Sequence, residues 1–246
     1  MRLPFALDPA PDAPFPPPSL ALHEPDGLLA VGGDLSPQRL LAAYRSGVFP
    51  WYSQGEPILW WSPSRRAVLR TDAVHVGART RRALRNSGWM VRADGAFDRV
   101  IAACAAAPRR GQAGTWITQA MIDGYRGLHA LGHAHSVEVF DGERLVGGLY
   151  GVAVGRMFCG ESMFSQRSGA STLALVALAG HLRDWGWPMM DAQVLNPHTA
   201  RLGAGEWSRE DYLQALSVLA AQPGREGSWQ QAFGTADAGT LLPAGG

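Results

Sequence analysis

The chain contains no lysine; all 22 of its basic residues are arginine. That absence excludes a Schiff base on the protein and a phosphate-loop lysine. Cysteine is nearly absent as well. Cys104 and Cys159 are widely spaced and make neither a disulfide framework nor a metal quartet, so the expected setting is reducing and cytoplasmic. No apolar run is long enough to span a bilayer. The proline-rich start, MRLPFALDPAPDAPFPPP, also lacks the apolar helix of a signal peptide, so no membrane partner is expected. His133 and His135, two apart on a strand-like run, lack a clustered third ligand and read as structural rather than metal-binding.

With 246 residues and 46% hydrophobic content, the chain can bury a core as one large domain or two smaller ones. Its net charge of +1 hides an asymmetry. Between Arg65 and Arg110 lie eleven arginines against three acids, a local +8 that leaves −7 for the remainder. Such a window fits a polyanion, because arginine grips phosphate with two donors at once; a solvated helix face is the equal alternative. Arg79, Arg81, Arg82 and Arg85 fall within one helical segment of it, ARTRRALRNS.

Residues 1–25 are expected to wrap the surface or stay mobile. Ser36-Pro37 marks a helix start before QRLLAAYRS, which Gly47 closes. The aromatic segment from Phe49 to Pro63 argues against a plain helix or strand. Trp60 and Trp61 read as a core plug, and Trp51 stays open between packing and stacking on a base. Strands and helices then alternate: AVLR and VHV as strands, the basic helix, WMVRA, the helix AFDRVIAACAAA, and a Gly-rich loop RRGQAGTW before a helix capped by Thr118. HSVEVF and RLVGGLYGVAVG form a hairpin through Asp141-Gly142, followed by RMFCGE, the helix STLALVALAGHLRDW, the strand MMDAQV and the helix SREDYLQALSVLA. The expected domains are residues 1–64, residues 65–222 and a disordered tail, residues 223–246.

The richest stretch runs from Phe158 to Gly203 and sets Glu161, Asp191 and Gln193 at the ends of apolar strands. Asp191 and Gln193, two apart, are expected on one face. Carboxylates beside apolar surface suit a reaction in which a charged amine meets an apolar acyl group. The order hairpin, strand, helix, strand is that of acyl-CoA N-acyltransferase folds, an α/β (α+β) class. The loop Gln166-Arg167-Ser168-Gly169-Ala170-Ser171 nearly matches their phosphate-binding pattern at a helix N-terminus.

Longer motifs carry a more specific resemblance: GLLAVGGDLSPQRLLAAYRSGVFPWYS, PILWWSPSRRAVL, GTWITQAMIDGYRGLHALGHAHSVEV, LVGGLYGVAVGRMFCGESMFS and DAQVLNPHTARLGA. Through them the chain resembles the leucyl/phenylalanyl-tRNA–protein transferase family. The resemblance implies a small N-terminal domain packed on an acyltransferase-like domain. It also implies transfer of Leu, Phe or, less well, Met from aminoacyl-tRNA to proteins with N-terminal Arg or Lys, marking them for degradation, without a cofactor. By motif, Trp51 and Trp116 lie near the aminoacyl-adenosine, and Glu161, Asp191 and Gln193 line the reaction centre. Leu149, Phe158, Leu175, Leu178 and Met190 build the side-chain pocket. On this reading Asp191 accepts or relays a proton, Gln193 orients the amine, and Glu161 faces the acceptor's basic side chain. The chain departs from the family pattern in having Ala192 between Asp191 and Gln193, and Leu178 where an aromatic can stand. A CoA-dependent N-acetyltransferase and a non-enzymatic RNA-binding module are the competing readings.

Overall fold

A computed structural model describes residues 3–107 and 115–242. In chain order the elements are β1 (Phe5–Leu7), β2 (Leu28–Gly32), α1 (Pro37–Arg45), β3 (Phe49–Pro50), β4 (Leu59–Trp61), β5 (Arg65–Arg70), α2 (Ala78–Arg85) and β6 (Met90–Ala93). There follow α3 (Phe97–Ala106), α4 (Gln119–Ala130), β7 (Ala134–Asp141), β8 (Arg144–Val154), β9 (Met157–Ser165), α5 (Ala170–Asp184) and β10 (Met189–Gln193). The chain closes through α6 (Pro197–Arg201), β11 (Gly205–Ser208), α7 (Arg209–Ala220), α8 (Gln230–Phe233), β12 (Thr235–Asp237) and α9 (Ala238–Leu241). Arg109 and Arg110, most of the loop they open, and the last four residues of the tail lie outside the described residues.

The strands form two sheets. One has four strands in the order β1-β2-β4-β3, and the other has eight in the order β11-β5-β10-β9-β8-β7-β6-β12. The fold is therefore mixed α/β, with a small sheet built from the first 61 residues beside a large one. β7 and β8 are the hairpin, closed by the two-residue turn at Gly142, whose φ of 59° suits glycine. β9 runs antiparallel to β8, and α5 carries the chain over to β10, which lies parallel to β9. Local signals place the helices. Ser36 accepts from the Arg39 N–H with Pro37 at the first helical position, and Thr118 accepts from the Met121 N–H. α5 is apolar almost all round, with ten buried residues, which fits its place against the sheet.

The aromatic segment does contain strands, contrary to expectation. β3 and β4 pair antiparallel, Phe49 opposite Trp61 and Pro50 opposite Trp60, with the proline at the sheet edge where no N–H is needed. Trp60 is fully buried, whereas Trp61 is half-buried and its ring lies 5.9 Å from that of Trp51. The segment VHV is not a strand: β5 ends at Arg70, and the His75 N–H is held by the Leu202 carbonyl. Residues 5–7 are tied down by pairing with β2.

The tail expected to be disordered folds back across the large sheet. β12 adds to β6 at the sheet edge, and Trp229 is fully buried. The Trp229 ring stacks on His135 at 3.7 Å and lies 5.8 Å from Phe158, while its backbone N–H donates to Asp94 at 2.7 Å. His135 in turn hydrogen-bonds Asp94 through Nδ1 at 2.9 Å. The composition of the tail is Gly- and Ala-rich, but one buried indole outweighs it. Trp229→Ala is expected to destabilise the fold by about 3–5 kcal/mol. Urea unfolding followed by far-UV circular dichroism measures this; unchanged stability would mean that the tail is only laid on the surface.

Candidate active site

A cavity of about 540 Å³ opens between the two sheets. Its floor is apolar: Leu69 from β5, Leu149 from β8, Phe158 from β9, Leu175 and Leu178 one turn apart on α5, and Met190 from β10. Phe158 and Met190 are register partners on adjacent parallel strands, which fixes their spacing. The Phe158 ring can lie across the sheet because Gly151 on β8 has no side chain; a Cβ there would sit 2.6 Å from the ring. Trp51, 39% exposed, and Trp116 stand on the walls. All ten residues singled out for catalysis or substrate binding line this one cavity: Trp51, Trp116, Leu149, Phe158, Glu161, Leu175, Leu178, Met190, Asp191 and Gln193.

The polar side is two linked clusters. In the first, Arg66 grips the Asp191 carboxylate with both Nε (2.8 Å) and Nη2 (2.6 Å). Tyr212 donates to the same carboxylate at 2.8 Å, and the Gln193 backbone N–H donates at 2.8 Å. Four donors thus occupy the four lone-pair directions of the carboxylate. The guanidinium also donates to the Gly47 carbonyl at 3.1 Å and lies between the rings of Phe49 and Tyr212, 4.7 and 4.5 Å from their centroids. Burial pulls the Arg66 pKa down, but the Asp191 charge outweighs it and holds the guanidinium above its ordinary value.

In the second cluster, Glu161 accepts from Tyr44 (2.6 Å), Tyr125 (2.7 Å) and the Gln193 side-chain amide (2.6 Å). The two phenol oxygens lie 2.6 Å from each other. Burial pushes the Glu161 carboxyl up to about 7, helped by nearby Asp191 and opposed by its hydrogen bonds. Gln193 joins the clusters, its backbone bound to one carboxylate and its side chain to the other. It does so from a left-handed backbone, φ 59°, at a bulge in the pairing of β10 with β5. The bulge corrects the expectation that Asp191 and Gln193 simply share a face, because simple alternation ends at Asp191.

Sequence reasoning missed Arg66, Tyr44, Tyr125 and Tyr212. Arg66 falls within the arginine-rich window, yet it is 1% exposed, turned inward onto Asp191. A charged residue inside the apolar run RRAVL was the available signal. Tyr44 and Tyr125 sit on the buried faces of α1 and α4 and look like ordinary core residues. Arg79 and Arg82 are exposed on α2, Arg81 and Arg85 are half-buried, and none of the four forms an ion pair among the described residues. Two N–H groups at the start of α5 are bound within the chain. The Ser171 N–H donates to Ser165 Oγ and the Ala170 N–H to the Arg167 carbonyl.

Comparison with known proteins decides the family. The profile of leucyl/phenylalanyl-tRNA protein transferase matches residues 68–217, and that of its N-terminal domain matches residues 33–64. The chain belongs to this family. It is 59% identical over 240 residues to the leucyl/phenylalanyl-tRNA–protein transferase of Xanthomonas axonopodis pv. citri, covering 98% of this chain and 96% of the relative. The enzyme of that name from Xylella fastidiosa (strain M23) is 57% identical over 231 residues, covering 94% of this chain and 95% of the relative. Among solved structures, L-PGS from Bacillus licheniformis aligns with a TM-score of 0.37 at 12% identity, over 69% of this chain and 54% of that one. The chain is thus an enzyme, an aminoacyltransferase.

The buried pair in this transferase makes a sharp energetic prediction. Arg66→Met leaves the Asp191 charge buried and unpaired, which is expected to cost about 3–5 kcal/mol. Adding Asp191→Leu removes the charge as well and is expected to recover most of that loss. Urea unfolding of the single and double variants tests it; a double variant as unstable as Arg66→Met would show that packing, not charge, is at stake.

Proposed function

We propose that this aminoacyltransferase moves Leu or Phe, and less well Met, from aminoacyl-tRNA to proteins with N-terminal Arg or Lys in the cytoplasm, marking them for degradation. The observation that supports this reading is the cavity itself, apolar at its floor and lined at one side by Glu161, Asp191 and Gln193. The floor receives the Leu or Phe side chain and discriminates by shape, where one methylene is worth about 1–3 kcal/mol. Trp51 and Trp116 stack on the terminal adenosine. The negative charge of Glu161 draws in the cationic end of the acceptor, and the Gln193 amide orients it. Asp191, held by its donors, fixes Gln193 in place. The ester of the aminoacyl-tRNA supplies the activation, so the residues need only position the reactants and receive a proton.

The deciding assay mixes the purified protein with leucyl-tRNA and a peptide beginning with Arg, and weighs the product. A gain of one leucyl residue is expected, and one phenylalanyl residue with phenylalanyl-tRNA. No mass gain with Leu-, Phe- or Met-tRNA would refute the reading.

The tRNA backbone is assigned to α2 by the same reading, since its arginines are unpaired among the described residues. Changing Arg79, Arg81, Arg82 and Arg85 to Glu is expected to weaken tRNA binding and flatten its salt dependence. Each lost phosphate contact removes a slope of roughly 0.7 to 0.9 in log K against log salt. Filter binding at several salt concentrations checks this, with circular dichroism as the control for folding. Identical affinity and slope would make α2 a solvated face.

A further inference from the structure

The triangle of Tyr44, Tyr125 and Glu161 contains three close oxygen–oxygen contacts: 2.6 Å from Tyr44 to Glu161, 2.7 Å from Tyr125 to Glu161, and 2.6 Å between the phenols. Each contact at hydrogen-bond distance requires one hydrogen. Each phenol carries one, and an ionised carboxylate carries none. With Glu161 ionised, two hydrogens serve three contacts, and whichever contact goes without brings lone pairs face to face in a buried, weakly screened site. A third hydrogen resolves this. The Glu161 Oε2–H then donates to Tyr125, Tyr125 to Tyr44, and Tyr44 to Oε1, a closed ring in which every contact has its hydrogen. Gln193 Nε2 donates to Oε1 in either state, so it does not compete for the vacancy.

We infer that Glu161, closed into a ring by Tyr44 and Tyr125, is the group that takes the proton which the acceptor's ammonium sheds before attack. This deepens the proposed transfer reaction and rests on it. In the step, the acceptor R–NH3+ gives one proton to the Glu161 carboxylate, leaving R–NH2. The nitrogen lone pair forms a bond to the ester carbonyl carbon, and the carbon–oxygen bond to the ribose breaks with its electron pair going to that oxygen. The oxygen takes the second nitrogen proton, and the amide nitrogen keeps the third. Glu161 returns its proton to solvent after product leaves, so each turnover releases one proton overall.

The surroundings fit this role. Asp191 on β10 is compensated by Arg66 on β5; Cys159 on β9 is buried, with its thiol pushed up by burial; and Tyr150 on β8 packs against Tyr125 with ring centroids 5.4 Å apart. No guanidinium, imidazole or amine hydrogen-bonds Glu161 among the described residues, so neutral donors alone hold it. A carboxyl pushed up to about 7 lies within roughly a unit of an α-amine at 7.7–8.0, close enough to exchange a proton. Tyr44 and Tyr125 act through Glu161 and are positioning residues.

The test is infrared difference titration of the free protein carrying ¹³C-carboxyl glutamate, from pH 5 to 9. It needs no substrate, so it is independent of whether transfer occurs; the mass assay on wild type checks transfer separately. A protonated-carboxyl band that persists to about pH 7 and is missing in Glu161→Gln is expected. In Tyr125→Phe its midpoint should move down, because the carboxyl O–H loses its acceptor; one hydrogen bond converts to up to roughly one unit. An upward shift or none, as for a phenol that merely donates to a carboxylate, overturns the inference, as does the lack of a Glu161 band in wild type. If Tyr125→Phe fails to fold, the loss of the band in Glu161→Gln and the effect of that variant on kcat carry the test. With the acceptor peptide, Glu161→Gln should lower kcat at least tenfold, whatever it does to KM through the lost charge. A raised KM with unchanged kcat would make Glu161 a binding group only.

Discussion

The Arg66–Asp191 pair constrains more of this structure than any other contact. Two charges taken out of water cost several kcal/mol each unless every lone pair and N–H finds a partner. Meeting that demand fixes β5 against β10 through the bidentate contact, α7 through Tyr212, and the end of α1 through the Gly47 carbonyl. The same demand sets the bulge. The Gln193 N–H must turn toward Asp191, which carries its φ to 59° and frees its side chain to reach Glu161. A strained backbone is held in place by a buried ion pair, and the amide facing the cavity is positioned as a consequence.

The two carboxylates of the site therefore sit among different kinds of donor. Asp191 faces a guanidinium, whereas Glu161 faces only phenols and an amide. Neutral donors compensate a buried charge less than a guanidinium does, so burial dominates at Glu161 and pushes it up to about 7.

The helices and hairpin were legible because local chemistry decides them. Ser36-Pro37, Thr118 and Asp141-Gly142 carry their structural instruction within a few residues. The ten cavity residues were legible for a different reason, long motifs shared with a family. Arg66, Tyr44, Tyr125 and Tyr212 were not, since their meaning arises from contacts 21 to 146 residues apart along the chain. The tail misled for the complementary reason. Its composition is that of a disordered segment, and what orders it is Asp94 and His135, far upstream. Composition weighs every residue of a segment alike; burial of one tryptophan does not.

The interface between the small sheet and the large one then acquires a specific meaning. Tyr44 comes from α1 beside the small sheet, while Tyr125 and Glu161 belong to the larger unit, and their oxygens meet within 2.7 Å. Arg66 reaches across to the Gly47 carbonyl at the end of the same helix. Trp51 reaches the cavity from the small sheet as well. Neither unit alone holds a complete set of donors for Glu161 or a complete wall for the cavity. Any displacement of α1 would thus alter the donors around Glu161 and the shape of the cavity together. This couples the packing of the two units to the chemistry between them.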